Sequence, residues 1–235
     1  MLHTHIQWRS IHSSLSAGTG SPCVSYSRCL TGEPRRNGAE SAGSFAYAAP
    51  SETPAASGLE TSLFMSFVPP EFQPPRSFST EDFQLAVLSP AFAEADFEAV
   101  RASASSIRHV FGSQNDWPDA HISFAENRAD LVRHEDEFNR RVAFAYSLLD
   151  PSGTRYLGCF YVKPIKSKLA VDFRKQKFQA QAFVWLSVSA SGLSIEHVVS
   201  ALARWLNESW PFSAVAFPGH TQSWPEWESL AKDGS

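Results

Sequence analysis

The sequence predicts an α/β fold, a mixed central sheet flanked by helices, with a disordered N-terminal tail. Three observations predict it. Two apolar stretches, residues 144–149 and 156–162, are joined by Asp150-Pro151-Ser152-Gly153. That junction is turn chemistry, so the stretches pair as an antiparallel hairpin. A third strand, residues 178–188, runs through the small-residue turn Ser189-Ala190-Ser191-Gly192 into an amphipathic helix that begins near Ile195. A last apolar run at 213–217 follows that helix, which makes a crossover unit with parallel neighbouring strands.

Taken in order, residues 66–79 carry Pro69, Pro70, Pro74 and Pro75 and form an extended leading segment. Residues 83–88 are a short strand, stopped by Ser89-Pro90. Phe97, Val100, Ala104, Ile107 and Phe111 recur at spacings of three and four, which predicts a helix over 93–111 closed by Gly112. A loop at Asp116-Trp117-Pro118 leads to a second helix over 123–141. Its stripe of Leu131, His134 and Phe138 faces inward, while Arg133, Glu137 and Arg141 line a solvated face. Pro164 ends the second hairpin strand. Residues 163–177 hold Lys163, Lys166, Lys168, Arg174, Lys175 and Lys177 against Asp172, and read as a basic loop. In the third strand Gln179, Gln181, Phe183 and Trp185 point one way and Ala180, Ala182, Val184 and Leu186 the other. The helix from Ile195 has the strongest period: Val198, Val199, Leu202, Trp205 and Leu206 share its face. Burying that face contributes about 10 kcal/mol before conformational entropy is subtracted. Trp210-Pro211 ends it, and residues 224–230 form a short terminal helix.

The chain has 235 residues and a net charge of -4, which suits one domain plus a tail and argues against nucleic-acid or membrane-surface partners. No apolar run approaches the roughly 20 residues that span a bilayer. Composition breaks at Met65. Before it Ser, Gly, Ala and Pro dominate with no hydrophobic period, and after it Phe and Trp become frequent and every Lys appears. Residues 1–64 read as a disordered tail or an over-extended gene start, and residues 65–235 as the folded domain. A targeting peptide fits Arg9, Arg28, Arg35 and Arg36 among many Ser, but Glu33, Glu40, Glu52 and Glu60 oppose it. Cys23, Cys29 and Cys159 form neither a disulfide framework nor a zinc pattern, so a cytoplasmic location is the expectation.

One run resembles a bacterial branch of the GNAT N-acetyltransferase superfamily. It extends from Asn127-Arg128-Ala129-Asp130-Leu131 through Arg133-His134-Glu135-Asp136-Glu137-Phe138 to Phe144-Ala145-Tyr146 and Leu157-Gly158-Cys159. Trp117-Pro118, Trp205 with Trp210-Pro211-Phe212, and Phe217-Pro218-Gly219 add to the resemblance, which covers roughly residues 80–230. It implies a GNAT-like fold, acetyl-CoA as co-substrate and an amine as acyl acceptor. The family's phosphate loop, Gln/Arg-x-x-Gly-x-Gly/Ala, falls on Val188, Ser189, Ala190, Ser191, Gly192, Leu193 and Ser194. That stretch keeps one glycine and has no leading basic or amide residue.

The candidate site residues each carry a plain structural alternative. The turn from Val188 to Ser194 presents backbone N–H groups to an anion, or is an ordinary helix cap with Ser194 as N-cap. His134, with Asp130 one turn before it, is a general base or a hydrogen-bonded core residue. By resemblance Tyr161 protonates a leaving thiolate; otherwise it packs, as Cys159 beside it does. Gln179 and Gln181 orient an acceptor or are solvated sheet positions. The resemblance implies that Trp185 and residues 212–217 flank the pantetheine arm, while Trp185 otherwise packs against a helix; Asp116, Glu126 and His220 are candidates to border the acceptor. The basic loop attracts phosphates or is solvated surface. A metal site at His134, Glu135 and Glu137 has the wrong helical spacing. The first functional expectation is an acyl-CoA-dependent N-acyltransferase acting on a small-molecule amine. The alternative is a non-catalytic module that keeps the fold, and a homodimer through an exposed strand edge is compatible with either.

Overall fold

In a computed structural model, residues 67–119 and 121–232 are described, and the expectations for residues 1–64 lie outside them. The hairpin of β3 (Phe144–Leu149) and β4 (Tyr156–Lys163) forms as its turn chemistry dictates. Asp150 closes the turn, its Oδ1 accepting from the amides of Thr154 (2.8 Å) and Arg155 (2.9 Å), and Gly153 takes a φ of +76°. Around this hairpin stand β1 (Ser77–Ser79), β2 (Gln84–Val87), β5 (Ala180–Leu186) and β6 (Val215–Ala216), in the order β1-β2-β3-β4-β5-β6. Every neighbouring pair is antiparallel except β5 and β6, which are parallel. The architecture is the mixed central sheet with flanking helices that the sequence implies.

The helices divide between the faces. One face carries Phe144, Tyr146, Leu148, Phe160, Val162 and Val184 under α4 (Ile195–Ser209), whose Val198, Val199, Leu202, Trp205 and Leu206 are buried against it. The other carries Ala145, Cys159, Tyr161, Phe183 and Trp185 beneath α1 (Ala93–Ser103) and α2 (Phe124–Asn139). A one-turn α3 (Arg174–Lys177) and a terminal α5 (Trp224–Ser229) complete the elements. Among the described residues no helix is long and apolar enough to cross a membrane.

Four details differ from the sequence reading. The first helix stops at Ser103, eight residues before its expected end at Phe111. The Ser106 hydroxyl donates to the Ser103 carbonyl at 2.9 Å and the Ser103 hydroxyl accepts from Val188 N–H at 3.0 Å, so the serines turn the chain out of the helix. Ile107 still reaches the core from the loop. Second, the buried face of α1 centres on Asp96, Val100 and Ser103, while Phe97 lies at the edge against Phe124. Third, part of the leading segment pairs as β1, because Phe78 stacks on Trp205 with ring centroids 4.8 Å apart. Fourth, Asp172 is buried within the basic loop and holds the first residue of α3, accepting from the Arg174 amide (3.0 Å) and pairing with its guanidinium (2.6 Å).

Asp96 is the polar hub beneath the α1 and α2 face. It accepts from Tyr156 O–H at 2.7 Å and from Asn127 Nδ2 at 2.8 Å, and Cys159 Sγ lies 3.4 Å away. Burial pushes its pKa up, against the lowering effect of these donors. Burial likewise pushes the Cys159 thiol well up, so Cys159 is an inert packing residue.

The tightest backbone approach in the sheet is at Gly158, with a φ of +148° opposite Trp185. A Cβ there would stand 2.0 Å from the Trp185 carbonyl oxygen. Gly158→Ala is therefore expected to force β4 from β5 and to cost ~2 kcal/mol or more. The readout is a lower urea midpoint at unchanged slope, and an unchanged midpoint would show that the strands adjust freely.

Candidate functional site

The ladder between β5 and β6 contains two residue pairs, Ala180–Val215 and Gln181–Ala216, and then fails for a local reason. The next amide, Phe217 N–H, donates to Gln222 Oε1 at 3.1 Å, and Pro218 has no N–H to give. The segment closes on itself, Gly219 N–H reaching the Gln222 carbonyl at 2.7 Å and His220 N–H the Phe217 carbonyl at 3.0 Å. The C-terminal half of β5 is left with an open edge, and a cleft of about 470 Å³ lies along it. Val184, Trp185, Arg108, Ile195, His220 and Trp224 are among its walls. His220 Nε2 sits 3.3 Å from the Val184 carbonyl, and burial holds its imidazole below its ordinary pKa.

The turn from Val188 to Ser194 joins two residues that line this cleft, Leu186 and Ile195. Much of its polar capacity is already used. Val188 N–H donates to Ser103 Oγ (3.0 Å), and Ser189 Oγ donates to the Tyr156 carbonyl (3.0 Å). Ala190 and Leu193 amides close successive turns on Ser187 and Ala190 carbonyls at 2.9 and 3.0 Å. Ser194 is the N-cap of α4, accepting from His197 N–H at 3.1 Å. What remains open is the tip. Ser191 is exposed, and Gly192, at a φ of +92°, has nothing within 4 Å of where a Cβ would stand. A backbone with that clearance beside a helix N-terminus suits the oxygens of an anion. One feature opposes it. The Glu196 carboxylate lies at this helix end, held low in pKa by its own backbone amide and the Ser194 hydroxyl.

A second cleft, of about 350 Å³, opens between α2 and the junction of β4 and β5. His134, Tyr161, Lys163, Gln181, Phe111 and Trp117 are among its walls, so two candidate catalytic residues meet here, with ring centroids 5.4 Å apart. The orientation of His134 differs from the expectation. Asp130 is engaged with Arg133 at 2.8 Å, and Glu137 holds the imidazole, its Oε2 3.2 Å from Nδ1. Nε2 faces the Arg133 guanidinium at 3.4 Å. Burial holds the His134 pKa below 6.5, outweighing the opposite pull of Glu137. The Glu137 carboxyl drops to about 2, through its hydrogen bond to His134 and the nearby Arg133. Tyr161 is pushed well up by burial and stays protonated. The arrangement therefore offers a neutral imidazole and a proton-bearing phenol at neutral pH.

The two clefts adjoin across β5. Trp117 of the second contacts Trp185 of the first with centroids 6.1 Å apart, and Phe183 stacks on Trp224 at 6.4 Å. Other expected residues fall outside both. Gln179 clamps β6, its Oε1 accepting from Ser213 Oγ at 3.1 Å. Glu126 is held in the capping box of α2 and borders a separate hollow. Phe212 and Phe217 are buried under the opposite face, so the first cleft is walled by residues 218–220 instead. Among the described residues no group of three or more His, Cys, Asp or Glu converges as a metal site. Sequence reading treated Lys163 only as part of a charge run. The alternation Cys159, Tyr161, Lys163 places it on the cleft face and was the available signal.

No protein-family model matches the sequence, and no curated protein matches it. Among solved structures the chain is similar to the ribosomal-protein-S5-alanine acetyltransferase from Vibrio fischeri, with TM-score 0.41, 12% identity and coverage of 56% of this chain and 67% of that one. It is similar to RimL, the ribosomal L7/L12 alpha-N-protein acetyltransferase, in complex with coenzyme A, with TM-score 0.38, 17% identity and coverage of 53% and 66%. It is also similar to the microcin C7 self immunity acetyltransferase MccE in complex with acetyl-CoA and AMP, with TM-score 0.40, 12% identity and coverage of 55% and 65%. The chain thus spans about two thirds of the length of each.

The charge arrangement around His134 fixes a pH dependence. A histidine whose folded pKa lies below 6.5 contributes stability above that value and loses it as pH falls, and Glu137 adds a loss between 4.5 and about 2. His220 acts in the same window as His134. The melting temperature is expected to fall between pH 7 and 5, and His134→Gln is expected to flatten that fall in part. An identical slope in the variant would mean that His134 titrates as it does in the unfolded chain.

Proposed function

We propose that the chain is an N-acyltransferase that takes an acyl-CoA, acetyl-CoA in the simplest case, along the open edge of β5 and an amine in the His134 cleft. The observation that carries this reading is the pair of adjoining clefts on either side of β5, one walled in part by Leu186 and Ile195, which flank the Val188–Ser194 turn, and the other by a neutral imidazole and a phenol. The co-substrate supplies an acyl group activated as a thioester, so direct attack by an amine needs no covalent enzyme intermediate.

Each residue then has a defined task. The free edge of β5 near Val184 and the walls given by Trp185, His220 and Trp224 hold an extended arm away from water. The turn tip at Ser191 and Gly192 receives phosphate oxygens through backbone N–H groups, and Arg108 in the cleft wall adds positive charge. His134 Nε2, whose 3.4 Å contact with Arg133 is long enough to give up, accepts the amine proton, and Glu137 steadies the imidazolium through Nδ1. Tyr161 keeps its proton at neutral pH and is the donor to the departing thiolate.

The second reading is a non-catalytic module of the same fold. The Glu196 carboxylate at the N-terminus of α4 favours it, because a negative group there competes with phosphate.

A thermal-shift titration of the full chain with millimolar acetyl-CoA tests the first reading. A clear rise is expected, smaller in Gly192→Val, whose side chain would enter the turn tip. Glu196→Gln is expected to tighten binding about 2–5-fold, the scale of one charge at a helix end. No shift in the folded wild-type protein would favour the second reading. Equal shifts in all three proteins would mean that the co-substrate binds elsewhere.

A further inference from the structure

The His134 cleft has an unbalanced charge. Its walls hold Arg133, Lys163 and Lys166 against the single carboxylate of Asp130. Arg133 is neutralised locally, by Asp130 at 2.8 Å and Glu137 at 3.1 Å. Lys163 is not. It is the last residue of β4, and its Nζ lies over the rings of Phe111 and Tyr161, 4.8 and 4.9 Å from their centroids. Among the described residues no carboxylate pairs with it and no hydrogen-bond acceptor takes its protons. Aromatic faces leave an ammonium's strongest demand, a hydrogen-bonded anion, unmet.

The position of this ammonium matters as much as its isolation. It shares the cleft wall with the imidazole of His134 and with Gln181, its register partner on β5, around a volume in the range of small-molecule sites. The Gln181 Nε2 donates to the Pro164 carbonyl at 3.1 Å. Lys166 stands exposed at the rim.

We propose that this cleft binds amines that also carry a carboxylate, and that Lys163 holds the carboxylate while the amine faces His134. That the bound molecule is an acyl acceptor rests on the acyltransferase reading; that it carries an anion does not. Burial lowers the Lys163 pKa to about 8, and a bound anion returns the proton's advantage. Glu137, Asp130, Arg133 and His134 face Lys163 from α2, and Lys166 faces it from the following loop. Of these groups Lys163 is the one that burial brings to about 8, so the preference for the anion weakens as pH rises past 8.

The test uses matched probes on the full chain without acetyl-CoA. These are the common L-amino acids, their C-terminal amides and the corresponding amines without the carboxylate, with phosphoethanolamine as a phosphate-bearing amine. Dissociation constants are read from thermal-shift titrations. At least one amino acid is expected to bind 10-fold or more tightly than its amide and its amine. Lys163→Met is expected to bring that ratio close to 1, Lys163→Arg to keep most of it, and the ratio to fall between pH 8 and 9.5. Equal binding of acid and amide in the wild-type protein overturns the proposal, and this comparison does not depend on a variant folding. So does a ratio that survives Lys163→Met, binding of phosphoethanolamine alone, or no binding by any probe. Carboxylate-dependent binding without acyl transfer from acetyl-CoA would retain the anion site and remove the acyltransferase reading.

Discussion

The site depends on the failure of one hydrogen-bond ladder. A parallel pair such as β5 and β6 would normally run on, and nothing in β5 stops it, since Val184, Trp185 and Leu186 are regular strand residues. The interruption is written on the other side. Phe217 gives its amide to Gln222, Pro218 has none, and the 217–222 segment satisfies its own polar groups. Because the backbone there is already bonded, the gap does not leave the orphaned donors that would pull the strands together. The first cleft follows from this parting, and the residues on either side of the turn into α4, Leu186 and Ile195, are among its walls.

Much of the fold was legible in the sequence, and the reason differs by element. The period of α4 survives because one face meets the apolar side of the sheet along its length, so its inward positions share an apolar requirement. The hairpin survives because Asp150 and Gly153 serve the same turn in isolation as in the fold. The first helix was read too long because Ile107 is buried and Phe111 packs half-buried against the same cluster, which periodicity cannot distinguish from helical burial. They reach the core from a loop that the Ser103 and Ser106 hydroxyls bend. Asp96 was invisible for the opposite reason. A carboxylate on an apolar stripe looks like an error in the period until its partners, 31 and 60 residues away, come into view.

The candidate site was legible in outline. His134 and Tyr161 do meet, and the residues that flank the turn before α4, Leu186 and Ile195, line the other cleft. The partner of His134 was misassigned. Asp130 and Glu137 flank it on one helix at i−4 and i+3, and sequence spacing ranks the two equally. Arg133 decides between them by drawing Asp130 away. Lys163 was hidden among neighbouring lysines because its distinction is burial, a property of the cleft and not of the charge run.

Asp96 gives the fold a constraint of another kind. One carboxylate joins α1, α2 and β4 through Asn127 and Tyr156. Any single replacement among the three strands a buried polar group, whereas an apolar trio of matched volume would not. The three positions therefore behave as one unit of inheritance. A hybrid chain that exchanged only one or two of the three would carry an unpaired buried polar group and lose stability, whereas one that exchanged all three together would not.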